Sequence, residues 1–186
     1  MKFVIGLLLF LFTQGTNVQA QSVKGQNTLI VYYSWSGNTR AVAQKIQKAT
    51  GGKLFEIRLE KEYPTEYRQV IERFRNEKNT KKWPALKKKV NNIGQYDTIF
   101  IGSPNWGSSI APPIFSFLTS HNLRGKKVIP FMTHGGGGWG HSREDMKALC
   151  PNSSFLEGLA VKGDRAETAD VSVNRWLQEL GFTINK

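Results

Sequence analysis

The residues best suited to chemistry stand in three short stretches, and the first of these suits a phosphate. Residues 34–39 read Ser-Trp-Ser-Gly-Asn-Thr and hold three hydroxyls, a glycine and an asparagine. Hydroxyls and unpaired amides at the start of a helix form an uncharged cradle for a phosphate, which the helix dipole also favours. An ordinary helix cap would need only one such residue. The stretch lacks the Gly-Lys-Ser/Thr sequence of a nucleoside triphosphate loop, so we predict a phosphate site of another kind.

The second stretch, residues 103–107, suits a planar aromatic ligand. It reads Ser-Pro-Asn-Trp-Gly and directly follows an apolar run. A tryptophan held between proline and glycine at the end of a strand can stack on a flat ring. The alternative is that Trp106 only covers the edge of the sheet. Both interpretations place Trp106 at the carboxyl end of a strand.

The third stretch is a glycine run that follows Thr133 and His134. Residues 135–140 contain five glycines and one tryptophan, which suits a loop that approaches a ligand closely or moves. The run formally matches the dinucleotide pattern G-x-G-x-x-G, but any glycine run does so almost automatically. His134 could contact a flat ring or its reducing partner, or could be a hydrogen-bonded structural residue. The three histidines lack the spacing to cysteines or carboxylates that is typical of metal sites, so no metal is expected.

Alternating apolar and amphipathic segments must position these stretches. Continuous or period-two apolar patterns predict five strands, and 3.6-residue patterns predict helices between them. Strands that alternate with helices form a parallel sheet with right-handed crossovers, here with helices on both faces and the strand order 2-1-3-4-5. The loops after the first, third and fourth strands then meet at the ligand-binding edge. The predicted strands span 28–33, 53–59, 98–102, 127–133 and 155–161, and the helices span 39–50, 65–79, 112–120, 141–149 and 170–180.

The three stretches together resemble the cofactor loops of the flavodoxin family. SWSGNT is similar to the loop that binds the FMN phosphate, and IGSPNWG and PFMTHGGGGWG are similar to the two loops that hold the isoalloxazine ring. The likeness continues to FLEGLAV and so covers nearly all of the chain after residue 20. It implies an α/β fold, the flavodoxin-like three-layer sandwich, with a five-stranded parallel sheet.

The resemblance also implies FMN as the cofactor and assigns its contacts. The phosphate would meet Ser34, Ser36, Gly37, Asn38 and Thr39, and the ring would meet residues 104–107 and 133–136. FMN supplies the redox chemistry, so no separate catalytic residue is implied. The implied cofactor-binding residues are Ser34, Trp35, Ser36, Gly37, Asn38, Thr39, Pro104, Asn105, Trp106, Gly107, Thr133, His134, Gly135 and Gly136.

The N-terminus has the pattern of an export signal. Lys2 precedes an apolar run from Phe3 to Phe12, and Val18-Gln19-Ala20 has the small-residue spacing of a cleavage site. The run is shorter than the about 20 apolar residues that span a bilayer, and the alternative is a buried helix. We therefore expect a signal peptide at residues 1–20, a single domain at residues 21–186, and a periplasmic or extracellular protein.

The charge balance is strongly basic. The chain has 26 Lys and Arg against 14 Asp and Glu, a net charge of +12, and much of the excess lies between Arg58 and Lys89. Typical flavodoxins are acidic and cytoplasmic, so the resemblance leaves their usual basic partners in doubt here. A redox partner protein that is acidic or associated with an anionic membrane would fit better, and nucleic acid is not expected. Cys150 is the single cysteine, so no disulfide can form within the chain.

Three functions remain open on these features. The first is an FMN-dependent electron-transfer protein of the flavodoxin type. The second is an NAD(P)H-dependent, FMN-containing reductase of quinones or flavins, for which the glycine run could make room for a nicotinamide. The third is a flavin-binding module without catalysis. The oligomeric state is not predicted.

Overall fold

The apolar runs of the sequence form a parallel sheet. The computed structural model describes residues 27–184. Its strands are β1 Thr28–Tyr32, β2 Lys53–Glu56, β3 Thr98–Trp106, β4 Ser109–Ile110, β5 Lys127–His134, β6 Ser154–Phe155 and β7 Leu159–Lys162. The strands lie in the order β2-β1-β3-β5-β6. Strand β7 also pairs with β5, and β4 runs antiparallel to the end of β3. Since β5 is the predicted fourth strand, and β6 and β7 together form the fifth, the predicted order 2-1-3-4-5 is confirmed.

Helices cover both faces of the sheet and complete the predicted three layers. They are α1 Asn38–Thr50, α2 Tyr67–Thr80, α3 Pro112–Ser120, α4 Ser142–Leu149 and α5 Asp170–Glu179, with short 3-10 turns at Ile93–Gln95 and Gly163–Thr168. One apolar core lies between the sheet and the pair α1 and α5. The other lies between the sheet and α2, α3 and α4.

Successive side chains of a strand point to opposite faces of the sheet, so the sheet residues divide between these two cores. In β1, Leu29 and Val31 point to the core beneath α3, whereas Ile30 and Tyr32 point to the core beneath α1. Every residue of β1 is therefore buried, as expected for a strand covered on both faces. This pairing leaves the carboxyl ends of β1, β3 and β5 at one edge.

The fifth strand is split, which the sequence pattern did not predict. β6 pairs with Lys127 and Val128, and β7 pairs with residues 131–134 of β5. The gap lies opposite Pro130, which has no N–H to donate to a ladder. Gly158 comes so close that a Cβ there would lie 2.6 Å from the Pro130 carbonyl oxygen. The predicted strand 155–161 is thus interrupted at residues 156–158.

The third strand runs further than predicted. The predicted strand ended at Gly102, but β3 continues to Trp106 because Asn105 and Trp106 pair with Ile110 and Ser109 of β4. The stretch predicted as a loop is therefore the arm of a hairpin. Its turn lies at Gly107 and Ser108, both of which have left-handed backbone conformations.

The long connection between β2 and β3 packs against the sheet edge. Helix α2 starts two residues later than predicted, because the Glu66 side chain accepts bonds from the amides of Arg68 and Gln69 and so fixes the start. Beyond α2, Leu86 forms an antiparallel bridge with Leu59. The connection thereby extends the edge next to β2.

Two features of the sequence fall outside this architecture. The predicted signal peptide, residues 1–20, lies outside the described residues. Within residues 27–184, every helix is too short or too polar to cross a lipid bilayer. Cys150 is buried, and this burial raises the pKa of its thiol to about 11.

Candidate functional site

The loop between β1 and α1 presents hydroxyls and amides at the start of a helix. Helix α1 begins at Asn38, and the residue before it, Gly37, has a φ of 95° and no side-chain cap. The first amides of a helix have no partner within the helix. One of these amides, that of Arg40, donates a hydrogen bond to the Ser34 Oγ at 3.2 Å. The stretch predicted as a phosphate cradle, residues 34–39, therefore lies at the start of a helix, and we call it the cradle.

The only cation next to this loop on the same helix is already engaged. Arg40 holds the Glu56 carboxylate with an Nη2 to Oε1 distance of 2.6 Å. The hydrogen bond to Glu56 also raises the pKa of the Arg40 guanidinium. An anion in the cradle would therefore be held by backbone and hydroxyl groups together with the positive end of α1.

The glycine run is fixed at its distal end and open at its proximal end. The Asn105 side-chain amide donates to the Gly138 carbonyl oxygen at 2.7 Å, and the His141 amide donates to the Ser108 carbonyl oxygen at 2.7 Å. In contrast, residues 135–137 are exposed, and a Cβ at any of them would meet nothing within 4 Å. The proximal part is therefore exposed, whereas hydrogen bonds hold the distal part in place.

A first cavity of about 380 Å³ lies between the three loops. It reaches from the cradle at Ser36 and Asn38 to the ends of β3 and β5. The loop after β7 closes its far wall, where the Lys162 Nζ lies 2.7 Å from the Asp164 Oδ2. The full lining is Ser36, Asn38, Pro104, Asn105, Thr133, His134, Gly135, Lys162, Gly163 and Asp164.

A second cavity of about 350 Å³ adjoins the first. The two linings share Asn105 and Gly135, so the cavities lie side by side. The second cavity is mostly apolar and aromatic, and α2 supplies one of its walls. We name it the ring cavity, and its lining is Trp35, Tyr67, Val70, Ile71, Phe74, Asn105, Trp106, Gly107 and Gly135.

An aromatic cluster holds Trp106 at the wall of the ring cavity. The rings of Tyr33, Tyr63 and Phe74 contact Trp106 edge-on, at centroid distances between 5.0 and 5.9 Å. The Tyr63 hydroxyl donates to the buried Glu77 carboxylate. Edge-on contacts of this kind fix a ring in place, so Trp106 both covers the sheet end and faces the cavity. The packing of Trp106 agrees with the alternative that it covers the edge of the sheet, and its stacking on a ligand stays a prediction.

The second tryptophan of the ring cavity is held more loosely. Trp35 is 37% exposed. Its Nε1 donates to the Pro64 carbonyl oxygen at 3.1 Å. This bond ties the cradle loop to the segment before α2. The cavity therefore has one tryptophan fixed in a cluster and one at its rim.

Most residues predicted for the site line these two cavities, but four do not. Ser34 is buried and bonded to the Arg40 amide, and Thr39 is buried and bonded to Thr133. Gly37 and Gly136 shape their loops through left-handed backbone conformations, with φ values of 95° and 149°. Ser34 and Thr39 therefore support the loops from the buried side, and the two glycines set the path of the backbone.

Two groups of lining residues were missed by sequence reasoning. The first is the face of α2, whose apolar spacing was visible but was assigned only to packing: Tyr67, Val70, Ile71 and Phe74. The second is the loop after β7, namely Lys162, Gly163 and Asp164. A Cβ on Gly163 would lie 2.7 Å from the Asn38 Nδ2, so this glycine allows the loop to approach the cradle. Its position became apparent only in the folded chain.

The described residues contain no group of three or more His, Cys, Asp or Glu side chains arranged to hold a metal ion. The site instead combines an uncharged cradle with an aromatic cavity. His134 lies between them, and its Nδ1 accepts a bond from the Gly136 amide at 3.1 Å.

Comparisons with known proteins agree with the fold and the loops. No curated protein matches the chain. Two solved candidate flavoproteins are similar to this chain. The flavoprotein of Bacteroides eggerthii is 32% identical with a TM-score of 0.74, and the match covers 84% of this chain and 99% of the Bacteroides eggerthii chain. The flavoprotein of Bacteroides uniformis is 30% identical with a TM-score of 0.73, and the match covers 83% of this chain and 99% of the Bacteroides uniformis chain. A Lactobacillus acidophilus flavoprotein, solved in complex with FMN, is 26% identical with a TM-score of 0.65, over 78% and 98%.

The family assignment rests on the chain as a whole. The sequence profile named Flavodoxin matches residues 27–180, which include all three loops and every strand of the sheet. The resemblance seen in the loop sequences is thereby confirmed. This chain belongs to the flavodoxin family.

Proposed function

We propose that this protein is an FMN-dependent electron-transfer flavoprotein. FMN as the cofactor follows from membership of the flavodoxin family and is supported by the related Lactobacillus acidophilus flavoprotein in complex with FMN. Bound FMN supplies the redox chemistry, and the chain binds, orients and shields it. The residues present fit this cofactor, because an uncharged anion cradle leads directly into an aromatic cavity.

The two cavities divide the cofactor between them in this proposal. The cradle amides and hydroxyls of residues 36–39 would hold the phosphate. The polar first cavity, with Asn105, Thr133 and His134 on its walls, suits a hydroxylated chain. The ring cavity, with Trp35 and Trp106, suits the flat isoalloxazine and excludes water from it.

One observation carries the assignment to electron transfer. No carboxylate, imidazole or amine side chain lines the ring cavity, and its only titratable side chain is the Tyr67 phenol, which is 68% exposed to solvent. General acid-base catalysis needs a titratable group within hydrogen-bond reach of the proton that moves. A carrier that only receives and passes on electrons needs no such group. The composition of this cavity therefore favours a carrier over an enzyme that moves protons on a bound substrate.

The surface beside the ring cavity suits an acidic redox partner. Helix α2, which forms one wall, carries four basic and two acidic side chains. One of each is joined in the ion pair of Arg73 with Glu77. Arg68, Arg75 and Lys78 are exposed. Complementary charge speeds association of redox partners at low salt, so an acidic partner or one on an anionic membrane fits this face.

A second candidate is an NAD(P)H-dependent reductase of quinones or flavins. The open proximal part of the glycine run favours it, because Gly135 lines both cavities and a Cβ at any of residues 135–137 would meet nothing within 4 Å. A nicotinamide placed there could reach the flavin ring. The carrier and the reductase make opposite predictions for direct reduction by NAD(P)H.

Anaerobic reduction of the FMN-loaded protein separates the two. The purified protein, with FMN added to saturation, is mixed with NADH or NADPH while the flavin absorbance is followed. In a carrier, the flavin absorbance does not fall within minutes of adding NADH or NADPH, but it falls when dithionite is added. Rapid bleaching by either nucleotide would replace the carrier by the reductase. Failure to retain FMN on gel filtration would contradict both.

Export from the cytoplasm is a further part of the proposal. It is supported by the signal-like pattern of residues 1–20. Mass spectrometry of the N-terminal peptide, from protein recovered from cells of its source, is expected to show Gln21 or its cyclised form as the first residue. A start at Met1 or Lys2 would contradict export by cleavage.

A further inference from the structure

A third cavity, of about 370 Å³, adjoins the ring cavity on the far side of Phe74 and Gly107. These two residues line both cavities. The volume lies within the range of about 300–1,000 Å³ that is typical of small-molecule sites. We name this space the outer cavity, and its lining is Phe74, Lys78, Lys81, Trp83, Gly107, Ser108, Ser109, Ile110, Pro112, Phe115, His141 and Asp145. FMN placed in the first two cavities does not use it.

Flat aromatic surface forms one wall of the outer cavity. Trp83 stacks on Phe115, with ring centroids 4.2 Å apart and an angle of 12° between the planes. Both side chains are half-buried. Because each ring covers one face of the other, the pair leaves its outer faces and ring edges for a ligand, and aromatic rings pack favourably on either. The wall therefore favours an aromatic molecule over an aliphatic one.

Positive charge lies at the rim of the same cavity. Lys78 donates from Nζ to the Gly107 carbonyl oxygen at 3.2 Å, and Lys81 follows the end of α2. Among residues 27–184, neither ammonium has a carboxylate oxygen within 4 Å. The charges of these two lysines are thus free to meet an anion.

The one carboxylate of the outer cavity is already compensated. Asp145 accepts a hydrogen bond from the Ser109 hydroxyl. It also lies in the first turn of α4, where the positive end of the helix stabilises a negative charge. The net effect of the lining on a ligand is therefore attraction of negative charge.

We propose that the outer cavity is a second ligand site, which binds a planar aromatic molecule carrying one anionic group. The rings would lie against Trp83 and Phe115, and the anion would meet Lys81 at the rim. The class includes aromatic sulfonates and aromatic carboxylates. Such a ligand would be separated from the ring cavity by Phe74 and Gly107, and this binding site does not depend on the proposed function.

A matched pair of probes tests the binding site. Naphthalene-2-sulfonate and the neutral naphthalene-2-sulfonamide have the same rings and differ in charge. Calorimetric titration of the FMN-saturated protein is expected to show one site for the sulfonate and an affinity about tenfold weaker for the sulfonamide. Equal affinity for the two, or no binding of the sulfonate, would overturn the proposal.

Variants locate the site. Lys81→Gln is expected to weaken the sulfonate about tenfold and to leave the sulfonamide unchanged, whereas Trp83→Leu weakens both. Lys88→Gln is the matched control, because Lys88 is exposed in the same connection but is not part of the lining. Unchanged sulfonate affinity in Lys81→Gln would place the probe elsewhere, even if Trp83→Leu fails to fold.

The outcome for FMN is read separately. If the protein retains FMN but binds no sulfonate, the outer cavity proposal fails and the proposed function stands. If FMN does not bind while the sulfonate binds in a Lys81-dependent way, the proposed function fails and the site stands. Sulfonate binding that disappears when FMN is added would mean that the probe occupies the ring cavity, which contradicts the proposal.

Discussion

The hydroxyls of Thr39 and Thr133 lie 2.8 Å apart, although 94 residues separate them in the chain. Thr39 is in the first turn of α1, and Thr133 is near the end of β5. Both are buried, with exposures of 1% and 3%. A bond between two buried hydroxyls is costly to break, because each hydroxyl would lose its only nearby partner. This bond therefore sets the spacing between the phosphate cradle and the loop that starts the glycine run.

Thr39→Val removes this bond and leaves the shape of the side chain. We expect FMN affinity to fall about tenfold, because the cradle and the loop after β5 lose their link. The midpoint of thermal unfolding should fall by a few degrees, since about 1–2 kcal/mol is lost. Titration of the apoprotein with FMN measures the affinity.

Thr50→Val is the control for this change. Thr50 is a buried threonine at the opposite end of the same helix, and its hydroxyl bonds to the Ile46 carbonyl oxygen. The Thr50→Val variant should have a lower free energy of unfolding but unchanged FMN affinity. Equal losses of FMN affinity in both variants would mean that stability, and not the loop link, controls binding.

Gly163→Ala tests the loop that sequence reasoning missed. An added Cβ would lie 2.7 Å from the Asn38 Nδ2, so the Asn38 side chain must shift within the cradle. We expect weaker FMN binding, by about tenfold, with little change in stability because a flexible side chain can move. Gly94→Ala is the matched control, since its Cβ would make only an ordinary contact of 3.6 Å. Normal FMN affinity in Gly163→Ala would remove this loop from the cofactor site.

The two tryptophans of the ring cavity should separate stability from cofactor binding. Trp106→Ala removes a ring packed against three others and should cost about 3 kcal/mol of stability as well as FMN affinity. Trp35→Ala removes an exposed ring with one hydrogen bond and should cost about 1 kcal/mol. We expect both substitutions to weaken FMN binding. Titration with FMN measures this at one temperature, chosen well below the unfolding midpoints of both variants. Unchanged FMN affinity in both would mean that the aromatic cavity does not hold the ring.

His121 should make the stability depend on pH. Its Nε2 accepts the Val90 amide at 3.1 Å, and its Nδ1 lies 2.9 Å from the Phe117 carbonyl oxygen. Burial lowers the pKa of His121 from its ordinary value of 6.5. As the pH falls through about 6.5, His121 therefore binds a proton in the unfolded chain but stays neutral in the folded chain. The free energy of unfolding then decreases as the pH falls.

The measurement is chemical denaturation between pH 7.5 and 5. We expect the free energy of unfolding to fall with pH in the native chain and to change less in His121→Asn. Thr119→Val is the control, because it alters the same end of α3 without a titrating group. A pH slope that is unchanged in His121→Asn would exclude this histidine as its source.

The layout of the sheet could be predicted because it depends on local pattern. Apolar runs such as residues 28–32 read as buried strands, and glycines such as Gly51 end helices where a left-handed backbone is needed. The cradle was equally visible, since its hydroxyls and Gly37 are contiguous in the chain. The predictions failed where a distant residue intervened: Pro130 interrupts the fifth strand, and β4 extends the third.

By itself the sequence determined which segments form strands, the family and the three loops at the carboxyl edge, because each is a pattern of neighbouring residues; the strand order followed from the general rules for parallel sheets. Only the tertiary structure decided that Gly163 closes the cradle, that the face of α2 forms the wall of the ring cavity, and that Trp83 and Phe115 enclose a further space beyond Phe74. These contacts join segments far apart in the chain. Their geometry is set by how helices pack on the sheet, which no local pattern records.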